Sequence, residues 1–319
     1  MSRFLLRRCA HGVLVLWLVS LGVFALFWLA PGDPARALAG RQASAETVAA
    51  VRRTLGLDQA VPAQYARFAT AALRGDLGHS YHNDEPVAAL LAGALPVTAS
   101  LALGAAVLWL ALGVPAGALA ARRPGSFLDR ATTAVALLLH STPAFLLGLL
   151  LLYGLFYRLR LAGVDAFPPG GYRPLTADPA QWARHLALPW APLAAVQAAT
   201  YARLTRGALR DVLAEDYVRT ARAKGATERR VTVTHGLRAA LGPVLTQFGV
   251  DLGAVLGGVV VVETVFGLPG LGRLAVTSVA TQDRPVIIGV VLLGAAAVVL
   301  ASLAVDAAYA ALDPRVRRP

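Results

Sequence analysis

Lys224 is the only lysine in the chain, and Gly225 follows it. A nucleotide-binding P-loop needs Gly-Lys followed by Ser or Thr, so that the lysine reaches the phosphates and the hydroxyl reaches Mg²⁺. The order here excludes ATP hydrolysis by that route. Cys9 is the only cysteine and there are six histidines, which rules out an intrachain disulfide and a cysteine-based metal cluster and offers no nucleophile–base pair. His79 and His82, in HSYHND, admit two roles, capture of a metal ion or plain loop side chains. His140, in LLLHSTPAF, is expected to pack between helices beside Pro143.

Two carboxylates carry more information. Asp251, in QFGVDLGAVLGG, falls inside an apolar run, where a carboxylate costs several kcal/mol unless it is paired or faces water. Either it lines an aqueous path, or it meets a Ser, Thr or Arg on a neighbouring helix. Gly249, Gly253, Gly257 and Gly258 around it supply small-residue spacing for close helix packing. Glu263 ends the same run and opens ETVFGLPGLGRL. The glycines and Pro269 of that segment exclude a continuous helix, so a turn or short re-entrant stretch follows.

The third candidate is a charged cassette between apolar runs, EDYVRTARAKGATERRVTVTHGLRAALGP, residues 215–243. Leu209, Leu213, Tyr217 and Ala221 recur every four residues, with Arg206, Arg210, Arg219 and Arg222 largely off that stripe, which predicts an amphipathic helix. Gly225 suits the left-handed position that ends it. Thr227 is placed to cap a second short helix whose positive N-terminus Glu228 complements. A helix–turn–helix hairpin results, serving either a partner or only the fixing of topology.

The elements that must hold these residues are membrane helices. Hydrophobic residues make up 57% of the chain and charged ones 15%, against about 25% charged in a soluble domain. The net charge of +12 is carried by arginines that flank apolar runs, as the positive-inside rule expects, with no aromatic-lined patch for nucleic acid. Six runs are long enough to cross a bilayer: 13–30, 95–121, 131–157, 185–202, 239–262 and 286–305. The fourth holds Pro189 and Pro192 and is expected to be kinked.

The first run exceeds a signal-peptide core and lacks a small-x-small cleavage site before PGDP at 31–34, so it is read as a retained anchor. Arg7 and Arg8, then Arg122, Arg123 and Arg130, then the cassette, then Arg315, Arg317 and Arg318 all fall on one side, which is the cytoplasm. Both termini, 122–130 and 203–238 lie inside; 31–94, 158–184 and 263–285 lie outside. Within the outer loop 31–94, ASAETVAAVRRTLGLD predicts a helix capped by Ser44 or Thr47 and stopped by Gly56. VPAQYARFATAALRGDLGHSY predicts a second, with Tyr65, Phe68, Ala72 and Leu73 on one face. The expected divisions are 1–30 (N-terminal segment and first span), 31–94 (extracytoplasmic region of short helices) and 95–319 (five-span core with the loop 203–238).

RTARAKGA (219–226), followed by Pro243 at the head of a span, resembles the EAA loop of ABC-type importer permeases. APGDPARALAG (30–40), LGLDQAVPAQYARF (55–68), RGDLGHSY (74–81), VVVETVFGLPGLGRL (260–274) and ALDPRVR (311–317) resemble, in the same order, the first-permease branch of the dipeptide/oligopeptide (peptide/nickel) permease family. Arg219 and Thr220 stand where the EAA pattern has Glu and Ala, with Ala221 and Gly225 matching.

The resemblance implies an all-α polytopic subunit of the type I ABC importer permease fold in the bacterial inner membrane, without its own ATPase site and with no bound cofactor. Its implied partners are a second homologous permease, two cytoplasmic ATPases that use ATP and Mg, an extracytoplasmic solute-binding protein and membrane lipid. It gives Arg219, Thr220, Ala221, Arg222, Ala223, Lys224, Gly225, Ala226 and Glu228 an ATPase-coupling role. It places Glu263, Pro269 and Gly270 near the outer gate and the binding-protein interface, while Asp251, from its place in the apolar run, is the candidate for the translocation path. Relatives carry dipeptides, longer peptides, glutathione, nickel complexes and sugars. An ion-coupled secondary transporter would show internal repeats and more intramembrane charge than Asp251, and an intramembrane enzyme would show a catalytic cluster.

Overall fold

The computed structural model describes residues 2–29, 34–40, 43–168 and 170–312. The end of the first expected span, most of PGDP, and Arg315, Arg317 and Arg318 lie outside the described residues. In chain order the helices are α1 (Ser2–Leu29), α2 (Pro34–Ala39), α3 (Ala45–Leu55), α4 (Val61–Leu73), α5 (Val87–Arg122), α6 (Phe127–Ser141) and α7 (Ala144–Leu151). A π-helical turn, Leu152–Tyr157, leads into α8 (Arg158–Leu161), followed by α9 (Pro179–Leu213), α10 (Asp216–Ala223) and α11 (Glu228–Arg230). A second π-helical turn, Val231–Leu237, opens into α12 (Arg238–Phe266), then α13 (Leu271–Ala280) and α14 (Arg284–Leu312). Among the described residues there is no strand, only an isolated bridge between His79 and Pro86.

Among the described residues, four helical segments are long and apolar enough to cross a membrane: Leu6–Leu26, Val87–Arg122, Ala144–Leu161 and Arg284–Ala307. The bent pair Glu228–Gly253 and Gly258–Phe266 makes a fifth if counted as one span. The expected run 131–157 is broken. Thr142, before Pro143, has φ −99° and ψ 123° and ends α6, because the proline ring disfavours helical backbone in the residue ahead of it. Pro189 and Pro192, by contrast, sit inside the unbroken α9, which, carrying the fourth expected run 185–202, is not among these spans.

The chain forms two compact units. In the first, residues 96–273 and 301–312, Trp109, Tyr201, Leu101, Leu186, Val244, Val259 and Val262 make the core, with the Trp109 and Tyr201 rings 6.0 Å apart. Its helices approach unusually closely. A Cβ on Gly113 would lie 2.6 Å from the Ala198 carbonyl oxygen, and one on Gly117 would lie 2.3 Å from that of Ala202. In lipid no hydrophobic drive separates helix from tail, so small residues that let backbones touch supply the attraction. GVPAG at 113–117 does this for α5 against α9.

The second unit comprises Ser2–Leu95 and Leu274–Leu300. Ser44 caps α3 by accepting from Thr47 N–H, and Gly56 ends it at φ 66°. On α4, Tyr65 and Phe68 pack on Phe24 with centroids 5.4 and 5.9 Å apart, and the Tyr65 hydroxyl lies 2.8 Å from that of Ser20. Leu73, expected on the same face, is 88% exposed; it ends α4, while Ala71 and Ala72 in the same turn are half-buried. Asp283 is buried and accepts from the Ser80 hydroxyl and from Tyr81 N–H, pinning the loop that carries His79 and His82.

Candidate functional site

The cassette folds as a hairpin seated on α9. α10 ends at Lys224, and Gly225 adopts φ +80° with its N–H on the Arg222 carbonyl at 2.9 Å. Ala226 N–H reaches the Ala221 carbonyl at 3.2 Å, closing the turn. The Thr227 hydroxyl accepts from Arg230 N–H, so the expected cap is present. Glu228 receives Arg222 Nε at 2.8 Å and Nη2 at 3.4 Å across the turn.

The stripe Leu209–Leu213–Tyr217–Ala221 does not survive as one face. α9 stops at Leu213 and α10 restarts at Asp216, and the break resets the phase. Val218 is buried and Tyr217 is 48% exposed. The hairpin is held instead by Gly236, whose Cβ would meet Leu209 Cδ1 at 2.8 Å. Outward it presents a cleft of about 390 Å³ lined by Tyr217, Thr220, Ala221, Lys224, Gly225, Ala226, Arg230 and His235. Arg219, Thr220, Arg222, Ala223 and Lys224 are exposed; Ala221 and Ala226 are half-buried. Two cations and a histidine line this cleft with no carboxylate among them, so its chemistry suits an anionic surface.

At the other end of α12 the segment 263–273 turns inward. Gly267 ends the helix at φ 65°, and Leu268 N–H returns to the Glu263 carbonyl at 2.8 Å. The Glu263 side chain is fully buried. It accepts the Thr98 hydroxyl at 2.6 Å and Arg273 N–H at 2.9 Å, while Leu271 N–H donates to the Thr98 oxygen at 2.8 Å. The carboxylate therefore sits on the first turn of α13, where orphan N–H groups and the helix dipole favour negative charge. A Cβ on Gly270 would lie 2.1 Å from Glu263 Oε1, so the glycine leaves room for the acid. Pro269 lies between the helices, and the expected interruption is there. Beside it lies a cavity of about 250 Å³ bounded by Phe156, His185, Pro189, Phe266 and Leu268.

Asp251 has partners of its own. The Tyr201 hydroxyl on α9 donates to Oδ2 at 3.0 Å, and Gln247 Nε2 to Oδ1 at 2.9 Å. His140 is exposed at the end of α6 rather than packed between helices, because the helix stops one residue later. Residues that the motifs did not point to are Thr98, Tyr201 and Gln247, together with an ion pair between Asp129 and Arg206. Only Gln247, four residues from Asp251, carried a local signal.

Among the described residues the fold is helical, with helices apolar and long enough to cross a membrane, an exposed basic hairpin and a glycine-bearing segment that buries Glu263. Residues 113–318 match the family described as binding-protein-dependent transport system inner membrane component, and residues 1–102 match its N-terminal region. The chain belongs to this family, the ABC importer permeases of the inner membrane, whose members work with ATPase and binding-protein partners. It is 39% identical over 317 residues to a probable peptide ABC transporter permease, y4tP, of Sinorhizobium fredii, covering 99% of this chain and 100% of the relative. It is 40% identical over 317 residues to a glutathione transport system permease, GsiC, of Escherichia coli, covering 99% of each. The MetNI methionine ABC transporter in an inward-facing form shares the fold at a TM-score of 0.56 and 21% identity, covering 70% of this chain and 96% of that one.

Proposed function

We propose that this chain is one of two homologous permease subunits of an importer for di- or oligopeptides, working by alternating access. It crosses the membrane six times with both termini in the cytoplasm, α6 to α8 forming one broken crossing. Two cytoplasmic ATPases supply ATP and Mg chemistry, since Lys224-Gly225 is no P-loop, and an extracytoplasmic binding protein delivers the solute. Arg219 to Ala226 and Glu228 couple the ATPases to the spans, and Glu263, Pro269, Gly270 and Asp251 belong to the outer gate and path. The observation that carries this is the hairpin, a polar turn seated on α9 whose cations point at no carboxylate of the cleft they line. The peptide class rests on the similarity to peptide permeases such as y4tP.

Gly225→Val tests it. A Cβ at Gly225 meets no atom within 4 Å, so the harm is confined to the left-handed backbone, on the order of 1 kcal/mol. The complex reconstituted in vesicles should keep normal abundance and lose both labelled-dipeptide uptake and binding-protein stimulation of ATP hydrolysis. Full uptake would reduce the hairpin to a topological anchor. Uptake of glutathione but of no dipeptide would reassign the substrate.

A further inference from the structure

α6 is set off from its neighbours by a backbone break at each end. It follows Gly125, at φ +78° with open space where a Cβ would stand, and it ends at the extended Thr142 before Pro143. It packs along α9, with Asp129 and Ala136 buried. At its first turn, however, Phe127 and Leu128 are exposed, so apolar burial does little to fix that turn on α9. What fixes it is a forked ion pair: Arg206 donates from Nε to Asp129 Oδ1 and from Nη2 to Oδ2, the latter at 2.8 Å. Gly125 N–H adds a third donor at 2.9 Å, and Asp129 is 4% exposed. Asp129 lies ahead of the expected span at 131. The Arg206 hydrogen bonds, with that of Gly125, hold its carboxyl at about 2, so the pair stays charged at any pH at which cells live.

Arg206 stands one helical turn before Leu209, whose side chain meets Gly236 of the hairpin. Residues three apart share a helix face. One face of α9 thus grips α6 and, a turn further on, grips the hairpin. A two-point guanidinium–carboxylate contact resists rotation as well as sliding, which neither a lysine nor an apolar contact would do.

We propose that Asp129 and Arg206 are positioning residues of the transport cycle, the joint through which movement of the hairpin and α9 swings α6. This rests on the coupling role of the hairpin. Break the joint and the ATPases still engage the hairpin, but α6 no longer follows and hydrolysis runs without delivery.

The test uses the full complex with its ATPases, second permease and binding protein in lipid vesicles, measuring peptide delivered per ATP hydrolysed. Asp129→Asn should assemble at normal abundance and keep binding-protein-stimulated hydrolysis within about twofold, while delivery per ATP falls about tenfold, within the usual range of coupling between sites. The swap Asp129→Arg with Arg206→Asp should recover much of that ratio, which a merely bulk-structural role would not. An unchanged ratio in Asp129→Asn overturns the proposal. So does a parallel loss of hydrolysis and delivery, which would put the pair in ATPase docking, and so does absence of Asp129→Asn and Arg206→Gln alike from the membrane, which would make it a folding element. If Gly225→Val abolishes coupling while Asp129→Asn transports normally, the hairpin role stands and only the joint fails; if Gly225→Val transports normally, the hairpin role itself has failed.

Discussion

The hairpin turn between α10 and α11 and the segment after α12 both bend on glycine, and the two spend their polar groups in opposite directions. At the hairpin, Gly225 faces open space, and Arg222 and Glu228 pair on the surface with 40% and 59% of their side chains exposed. In the 263–273 segment, Gly270 is pressed against Glu263, and that carboxylate is buried on Thr98 and the first turn of α13. The hairpin turns Lys224 and Arg230 into an open cleft that carries no carboxylate; the other segment satisfies its own charge and closes on itself. Both punctuate a helix with glycine, yet one has the character of an interface and the other of an internal joint.

The sharpest way to break this contrast is at Gly270. Gly270→Ala must displace Glu263 from the Thr98 hydroxyl and leave a buried carboxylate short of donors, on the order of 3 kcal/mol. Membrane abundance and the unfolding temperature of the purified protein should both fall. A variant as stable as the parent would mean the segment opens easily, and the contrast with the hairpin would vanish.

Asp251, between the two in the chain, gives an intermediate effect. Asp251→Ala strands the buried Tyr201 hydroxyl and should cost about 1–3 kcal/mol. Asp251→Asn keeps a hydrogen-bonding group of the same shape and should preserve abundance. If the asparagine variant is abundant but transports poorly, the charge itself serves the path; if both abundance and transport are normal, the residue is a packing partner.

The smallest structural effect belongs to Arg222→Ala, which removes an exposed pair worth less than about 1 kcal/mol. Unfolding should shift little, while binding-protein-stimulated ATP hydrolysis drops. A variant equally stable and equally active would show that Arg222 serves only the local turn.

The comparison also explains which features were legible in advance. Gly225 at positive φ, the Thr227 and Ser44 caps, and the halt of α12 before Pro269 are decided within a few residues by backbone sterics and local hydrogen bonds. The Leu209–Ala221 stripe is not one face because a two-residue break changes helical phase, and phase decides which side chain is buried; hence Val218 and not Tyr217. Leu73 is exposed at the C-terminal end of its helix, where periodicity alone does not decide burial.

By itself, the sequence determined that this is a helical membrane protein, where its chain turns, and that its sole lysine cannot serve a P-loop. Those properties follow from composition and from interactions spanning one helical turn. Only the tertiary structure decided what its buried charges meet. Thr98 and Glu263 are 165 residues apart, Asp129 and Arg206 are 77 apart, and Tyr201 and Asp251 are 50 apart. A carboxylate in a low-dielectric interior must find donors, but the demand has no preferred sequence separation. Which donor answers depends on how α5, α6, α9 and α12 pack, and therefore on glycines such as Gly113 and Gly117 that let their backbones touch.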